Sequence, residues 1–183
     1  MKTYTIIAGV NGVGKSSLSG VLKDERSDLG FIIDIDKLAA ENNLGALEAG
    51  KMAAKKIDEF LAKGITFSQE TTLSGQKTEK TIKTAKDKGY FVRLFYVGLN
   101  TCEESVVRIK KRVEKGGHNI REEDVNRRFA GRFESLLKIL PFCNEAVFYD
   151  NENGFIPVGG YKNGEYTIKN GYKPAWFQEL LGT

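Results

Sequence analysis

Cysteine is scarce in this chain of 183 residues, and the two that occur, Cys102 and Cys143, lie far apart with no C-x-x-C pair. Neither a disulfide framework nor a zinc cage is therefore indicated, and a reducing compartment suits the composition. No apolar run approaches the length needed to cross a bilayer, and the first eight residues are too short for a secretory leader. The expectation is a cytoplasmic protein with no membrane partner. Charge of one sign is also lacking: 28 basic residues face 24 acidic ones, for a net charge of +4. That near balance does not require nucleic acid as a partner. Internal repeats, low-complexity tracts and long linkers are absent as well.

What is present is glycine in one informative place. Gly9-Val10-Asn11-Gly12-Val13-Gly14-Lys15-Ser16 fits G-x-x-x-x-G-K-[ST], between an apolar strand-like run, Tyr4–Ala8, and a helix-like run beginning at Ser16. Such a loop binds the phosphates of ATP or GTP because glycines let successive backbone N–H groups turn inward, a hollow that side chains would obstruct. Lys15 is then set against the outer phosphates. The Ser16 hydroxyl is the magnesium ligand, and the helix dipole faces the same anions. Gly9, Asn11, Gly12, Val13, Gly14, Lys15, Ser16 and Ser17 form the expected nucleotide-binding set.

Strand-like runs alternate with helical patterns, which predicts an α/β fold with a mainly parallel sheet covered on both faces, a three-layer P-loop sandwich. Phe31–Ile33 is a short second strand and Ile65–Gln69 a third. A helix over Ala46–Leu61 sets Leu47, Ala54, Ile57 and Leu61 along one face, and Gly64 ends it. A polar helix runs to Lys88, and Tyr90–Leu99 is a strand. Thr101 and Glu104 form a capping box for the next helix, which stops at Gly116-Gly117. The acidic triplet Glu122–Asp124 opens a further helix, with Val125, Phe129, Leu136 and Leu140 as its apolar face and Pro141 as its stop. Ala146–Tyr149 is the last core strand. Beyond Asn151, Ile156–Val158 and Tyr166–Ile168 flank the turn signal Asn163-Gly164, and a short helix covers Ala175–Leu181. The whole of residues 1–183 is expected to form one domain, with a lid near residues 108–132 and an appended hairpin and helix over residues 152–183.

In an open parallel sheet, ligands sit at the carboxyl ends of the strands. The polar residues placed there are Asp34 and Asp36 after the second strand, and Glu70 with Thr72 after the third. A carboxylate in such a position takes the proton of an acceptor hydroxyl during phosphoryl transfer, or helps to hold the metal. The competing roles are a helix cap for one of the aspartates and a turn-closing carboxylate for Glu70. Basic residues crowd the segment from Arg108 to Arg132, where the Gly116-Gly117 pair, the lone His118 and the arginines Arg108, Arg112, Arg121, Arg127 and Arg128 suit a mobile lid over transferring phosphate. A solvated basic face is the alternative.

At these residues the chain resembles the zeta-toxin-like family of P-loop kinases, in particular its small bacterial chromosomal members. The resembling stretches are IIAGVNGVGKSSL at 6–18, DIDKLAAE at 34–41, QETTLSG at 69–75 and RVEKGGHNIREEDVNRRFAGRFESL at 112–136. The resemblance implies a nucleotide-kinase-like fold, with Lys15 and Ser16 holding ATP and magnesium. It implies Asp36 as the base toward a sugar hydroxyl, Glu70 and Thr72 at the acceptor, and Arg112 and Arg128 as lid arginines, with Arg108, Arg121 or Arg127 as alternative equivalents. His118 lies in the matching GGHNI stretch as a substrate-binding candidate. Well-studied members phosphorylate UDP-N-acetylglucosamine and are held in check by an antitoxin, so the resemblance implies a small-molecule acceptor and an antitoxin protein as partners. This chain is short beside them, with a glycine- and tyrosine-rich tail where they carry longer C-terminal helices.

The expected activity is magnesium-dependent transfer of the ATP gamma-phosphoryl group to a hydroxyl of a small molecule, a nucleotide sugar being one candidate. The alternatives are an ATP-dependent binding module with little transfer, and a kinase of nucleic-acid ends.

Overall fold

The computed structural model describes residues 1–169 and 171–182. Along the chain the elements are β1 (Thr3–Ala8), α1 (Lys15–Glu25), β2 (Phe31–Ile33), α2 (Ile35–Asn42), α3 (Ala46–Lys63), β3 (Phe67–Thr71), α4 (Lys77–Asp87) and β4 (Phe91–Gly98). Then follow α5 (Cys102–Glu114), α6 (Glu122–Ala130), α7 (Arg132–Ile139), a 3₁₀ turn (Leu140–Phe142), β5 (Glu145–Asp150), β6 (Ile156–Lys162), β7 (Glu165–Ile168) and α8 (Ala175–Leu181).

The strands form one sheet in the order β2-β3-β1-β4-β5-β6-β7. The first five are parallel, and β6 and β7 add antiparallel pairs at one edge. The C-terminal hairpin thus extends the central sheet instead of standing apart as an appendage. Asn163 and Gly164 both take positive φ at its tip, 54° and 88°, as a two-residue hairpin turn demands.

Side chains alternate across a strand, so neighbouring residues of β1 serve opposite faces. Tyr4, Ile6 and Ala8 join the core formed with Ala53, Ile57 and Leu61 of α3, Ile82 of α4, Leu136 of α7 and Trp176 of α8. Ile7 joins Phe95, Val97 and the α1 residues Leu18 and Leu22, with Phe129 of α6 packed alongside. Helices therefore cover both faces, as expected. Phe67 centres an aromatic group, with ring centroids 4.6 Å from Tyr4, 5.7 Å from Phe60 and 6.1 Å from Tyr90. Each such fully buried ring contributes about 1.5–3 kcal/mol by its removal from water.

Two helix readings need correction. The buried face of α3 is Ala49, Ala53, Ile57 and Leu61, while Leu47 is 68% exposed. Ten residues separate Leu47 from Ile57, which at 3.6 residues per turn places them roughly 80° apart around the helix axis. The single helix read from Glu122 to Pro141 is two, α6 and α7, meeting at Gly131 with φ −90° and ψ 9°. Glycine is the weakest non-proline helix former, and it lets the axis break where the apolar stripe changes neighbours. Leu140 falls in the 3₁₀ turn.

Candidate active site

The parallel register itself assembles the site. Ile7 of β1 pairs with Glu70 of β3, and Ile33 of β2 pairs with Gln69, so the phosphate loop, Asp34 and Glu70 leave the sheet side by side. Between β1 and α1 the loop curls at glycines with φ 147° at Gly9, 75° at Gly12 and 97° at Gly14. A Cβ on Gly9 would lie 2.5 Å from the Val97 carbonyl oxygen, so close backbone approach as well as conformation requires glycine there.

These strand ends open onto a cavity of about 450 Å³ lined by Asn11, Gly12, Gly14, Lys15, Ser16 and Ser17 of the loop, by Asp34 and Asp36, by Gln69–Thr72, and by Arg108, Arg112 and Arg128. Lys15 Nζ donates to the Gly9 and Val10 carbonyls, both at 3.0 Å. Burial lowers its pKa from 10.5 to about 8, with Glu70, Asp36 and Asp34 opposing that shift and Arg112 adding to it. Ser16 Oγ donates to Glu70 Oε2 at 2.7 Å. Glu70 is 8% exposed, and its pKa is raised by burial against the opposing influence of the Ser19 and Ser16 hydroxyls. The turn-closing role weighed for Glu70 is taken by Thr71, whose hydroxyl oxygen accepts from Leu73 N at 3.0 Å. Leu73 itself is buried at 4% exposure with φ 60°, an uncommon conformation for a non-glycine residue, and Thr72 beside it exchanges a hydrogen bond with Ser74 at 2.7 Å.

The two aspartates separate cleanly. Asp34 caps α2, its Oδ1 accepting from Asp36 N at 2.9 Å and Lys37 N at 3.3 Å. Asp36 stands exposed on the first turn of α2, its carboxylate available to the cavity.

The arginines divide as well. Arg128 reaches across the fold to donate to Asn11 Oδ1 at 2.8 Å, and Arg108 donates to Glu104 and to the Asn151 carbonyl. The Nε atoms of Arg112 and Arg128 are buried without a hydrogen-bond partner. Arg132 Nε, away from the cavity, is in the same state. Arg121 and Arg127 instead pair with Asp124 at the surface, at 3.3 and 2.6 Å, and do not line the cavity. His118 is exposed and outside the cavity lining. Its backbone carbonyl, not its imidazole, meets the site residues, by accepting from Arg112 at 2.7 Å. Gly9 and Val13 likewise shape the loop without lining the cavity.

Several contributors were not among the expected site residues, Lys77, Thr78 and Asn151 among them. Lys77 lines the cavity from the first turn of α4, where a cation opposes the helix dipole, and that mismatch was the available signal. Asn151 follows β5 and donates to the Val13 carbonyl at 2.8 Å, so the strand-end rule applied to the fifth strand would have found it.

The donor set suits the ligands of a phosphoryl-transfer site. The Ser16 hydroxyl and the Glu70 and Asp36 carboxylates are hard oxygen donors of the kind magnesium accepts. Glycine-lined amides, Lys15 and the guanidinium groups of Arg108, Arg112 and Arg128 suit phosphate oxygens.

Known proteins share the sequence pattern and the fold of this chain. An uncharacterized protein of Haemophilus influenzae (strain Rd) is 37% identical over 126 residues, covering 66% of this chain and 88% of its own. A chain of the PezAT chromosomal toxin–antitoxin system of Streptococcus pneumoniae superimposes with a TM-score of 0.65 at 20% identity, over 100% of this chain and 83% of that one. A chain of the AvrRxo1-ORF1:-ORF2 complex with ATP gives a TM-score of 0.65 at 17% identity, over 93% of this chain. The present chain spans only 61% of that AvrRxo1 chain's length. The zeta toxin family model matches residues 1–152, which takes in the phosphate loop, both strand-end carboxylate sites and the arginine-bearing helices, and the chain belongs to the zeta toxin family.

Proposed function

We propose that this protein transfers the gamma-phosphoryl group of ATP to a hydroxyl of a small molecule, in a magnesium-dependent reaction. Membership of the zeta toxin family makes the chain a P-loop kinase. The observation that carries the finer reading is the convergence of Lys15, Ser16, Asp36, Glu70, Arg112 and Arg128 on one cavity.

Phosphoryl transfer needs positioning and charge neutralisation more than covalent chemistry. The loop amides and Lys15 hold the triphosphate. Asp36 accepts the proton of the acceptor hydroxyl as that oxygen bonds to the gamma phosphorus and the bond to the beta-bridging oxygen breaks. Arg112 and Arg128 donate to the oxygens on which charge develops. Glu70 and Thr72 position the acceptor, and Lys77, which lines the same cavity, favours an anionic one. Magnesium, when bound with Ser16 as its protein ligand, would supply further neutralisation of the phosphate charge.

The acceptor class proposed is a nucleotide sugar such as UDP-N-acetylglucosamine, on the strength of the family resemblance. An antitoxin partner is proposed on the same ground, since the PezAT relative is a toxin–antitoxin system. A cytoplasmic setting accords with the reduced cysteines; no helix among the described residues is long and apolar enough to cross a membrane. A second reading, a kinase of nucleic-acid ends, is favoured by one observation. Arg108, Lys111, Arg112 and Lys115 line a groove of about 370 Å³ on α5 without a carboxylate.

Incubation with magnesium and labelled ATP across a panel of nucleotide sugars, nucleosides and oligonucleotides, followed by mass spectrometry, tests these readings. A gain of one phosphate on a nucleotide sugar is expected. Phosphorylation of oligonucleotide ends alone would replace the first reading with the second, and ATP binding without any phosphorylated product would leave a nucleotide-dependent binding module.

A further inference from the structure

The family match ends at residue 152, and chain beyond it bonds to Asp150, next to the residue that meets the phosphate loop. β5 terminates in Asp150, which is 1% exposed. A carboxylate so deeply placed needs several partners. Its Oδ1 accepts from Trp176 Nε1 at 2.8 Å, and its Oδ2 accepts from Glu152 N at 3.2 Å and from the Tyr172 hydroxyl at 3.4 Å. Trp176 is pinned in turn. Its backbone N–H donates to Asn100 Oδ1 at 3.0 Å, while Asn100 Nδ2 donates to the Glu152 carboxylate. The indole packs with ring centroids 5.9 Å from Tyr96 and 5.5 Å from Phe177. β4 ends in glycine to admit it, since a Cβ on Gly98 would lie 2.3 Å from the indole.

The short loop held this way touches the site twice. Asn151 Nδ2 donates to the Val13 carbonyl inside the phosphate loop at 2.8 Å, and a Cβ on Gly14 would sit 2.6 Å from that same nitrogen. The Asn151 carbonyl accepts from Arg108, which lines the cavity. The loop is thus in contact with both the phosphate-binding backbone and a cavity arginine.

We infer that Asp150 is a positioning residue for the nucleotide, through which the C-terminal Tyr172 and Trp176 hold Asn151 against the phosphate loop. This rests on the ATP-binding reading above. Neither Asp150 nor Trp176 lines the cavity, so their influence passes through Asn151 to the Gly14 backbone and to Arg108. On this account Tyr172 and Trp176, beyond the family match, support the nucleotide site.

Trp176→Phe keeps an aromatic ring and removes the Nε1–H donor. On the full chain, at a temperature well below the melting point of each variant, calorimetry should give an ATP affinity about tenfold weaker than the parent's. The KM for ATP should rise with kcat held within about twofold, a split expected for lost uniform binding. Asn151→Ala should weaken binding similarly, and the double variant no more than Asn151→Ala alone, because both interrupt one linkage. An ATP affinity in Trp176→Phe equal to the parent's, or losses that add in the double variant, would overturn the positioning role. If Trp176→Phe cannot be recovered folded, Tyr172→Phe should weaken ATP binding about threefold through the longer hydrogen bond, and an unchanged affinity there overturns the role. A parent chain that binds no ATP overturns the kinase reading as well, whereas parental binding with unmoved variants overturns the positioning role alone.

Discussion

The hydroxyl of Ser16, the first residue after the phosphate-loop lysine, is hydrogen-bonded to the buried carboxylate of Glu70 at 2.7 Å. Two segments 54 positions apart in sequence are thereby joined at the point where nucleotide and acceptor would meet. Burial raises the Glu70 pKa, while the Ser16 hydroxyl and Lys15 oppose the rise.

Glu70→Gln preserves the shape and an acceptor oxygen for Ser16 but removes the charge. Phosphoryl transfer should fall by about 10²-fold or more, with ATP affinity changed by less than about threefold, because the loss falls on the acceptor side and on metal support. Single-turnover kinetics beside calorimetry separates the two effects.

Asp36→Asn should lower the transfer rate by about 10²- to 10⁴-fold while ATP binds as before, since the exposed Asp36 carboxylate makes no structural hydrogen bond that the cap Asp34 does not already provide. Retained turnover would remove Asp36 from the role of base. Asp34→Ala, by contrast, should cost about 1 kcal/mol of stability through the lost cap, which thermal unfolding reads directly.

Nucleotide affinity should depend on the protonation of Lys15. In the free protein burial holds its pKa near about 8, and a bound triphosphate favours the ammonium form and raises it again. Affinity should therefore be full below pH 8 and decline as the pH rises through that value, by up to about tenfold per unit. Binding at and just above pH 8 should take up protons, which calorimetry in buffers of different ionisation enthalpy measures.

Arg128→Lys should reduce kcat by about 10²- to 10³-fold, because a point-like ammonium lacks the planar fork by which one guanidinium nitrogen holds Asn11 Oδ1 while another is turned to the phosphates. Arg127→Ala should leave the rate within about twofold, its side chain being engaged with Asp124 at the surface. Equal losses in the two variants would refute the division of arginines described here.

Phe67→Ala should destabilise the fold by about 3–5 kcal/mol, as it opens a cavity between Tyr4, Phe60 and Tyr90. Denaturant unfolding followed by circular dichroism checks this.

The parts of the site that could be read from the sequence are those whose chemistry is local. The phosphate loop is contiguous, and Asp34, Asp36 and Glu70 follow strands whose parallel pairing brings their ends together automatically. What could not be read depends on rotations and long-range packing. The 117-residue separation between Asn11 and Arg128 carries no local trace. Sequence composition alone does not tell Arg112, which faces the cavity, from Arg127, which faces water. His118 drew notice as the lone histidine, yet its backbone does the contacting. The tail reads as an appended hairpin and short helix, but its turn signal carries no trace of the sheet edge it joins or of the burial of Trp176.

β1 is the middle strand of the parallel block, paired along its length with β3 on one side and β4 on the other. A central strand of this kind is expected to exchange its amides with deuterium only on global opening, and the edge strand β7 by local fraying. The floor beneath the phosphate loop is accordingly the last part of the protein to yield, and thermal breathing at the periphery leaves it in place.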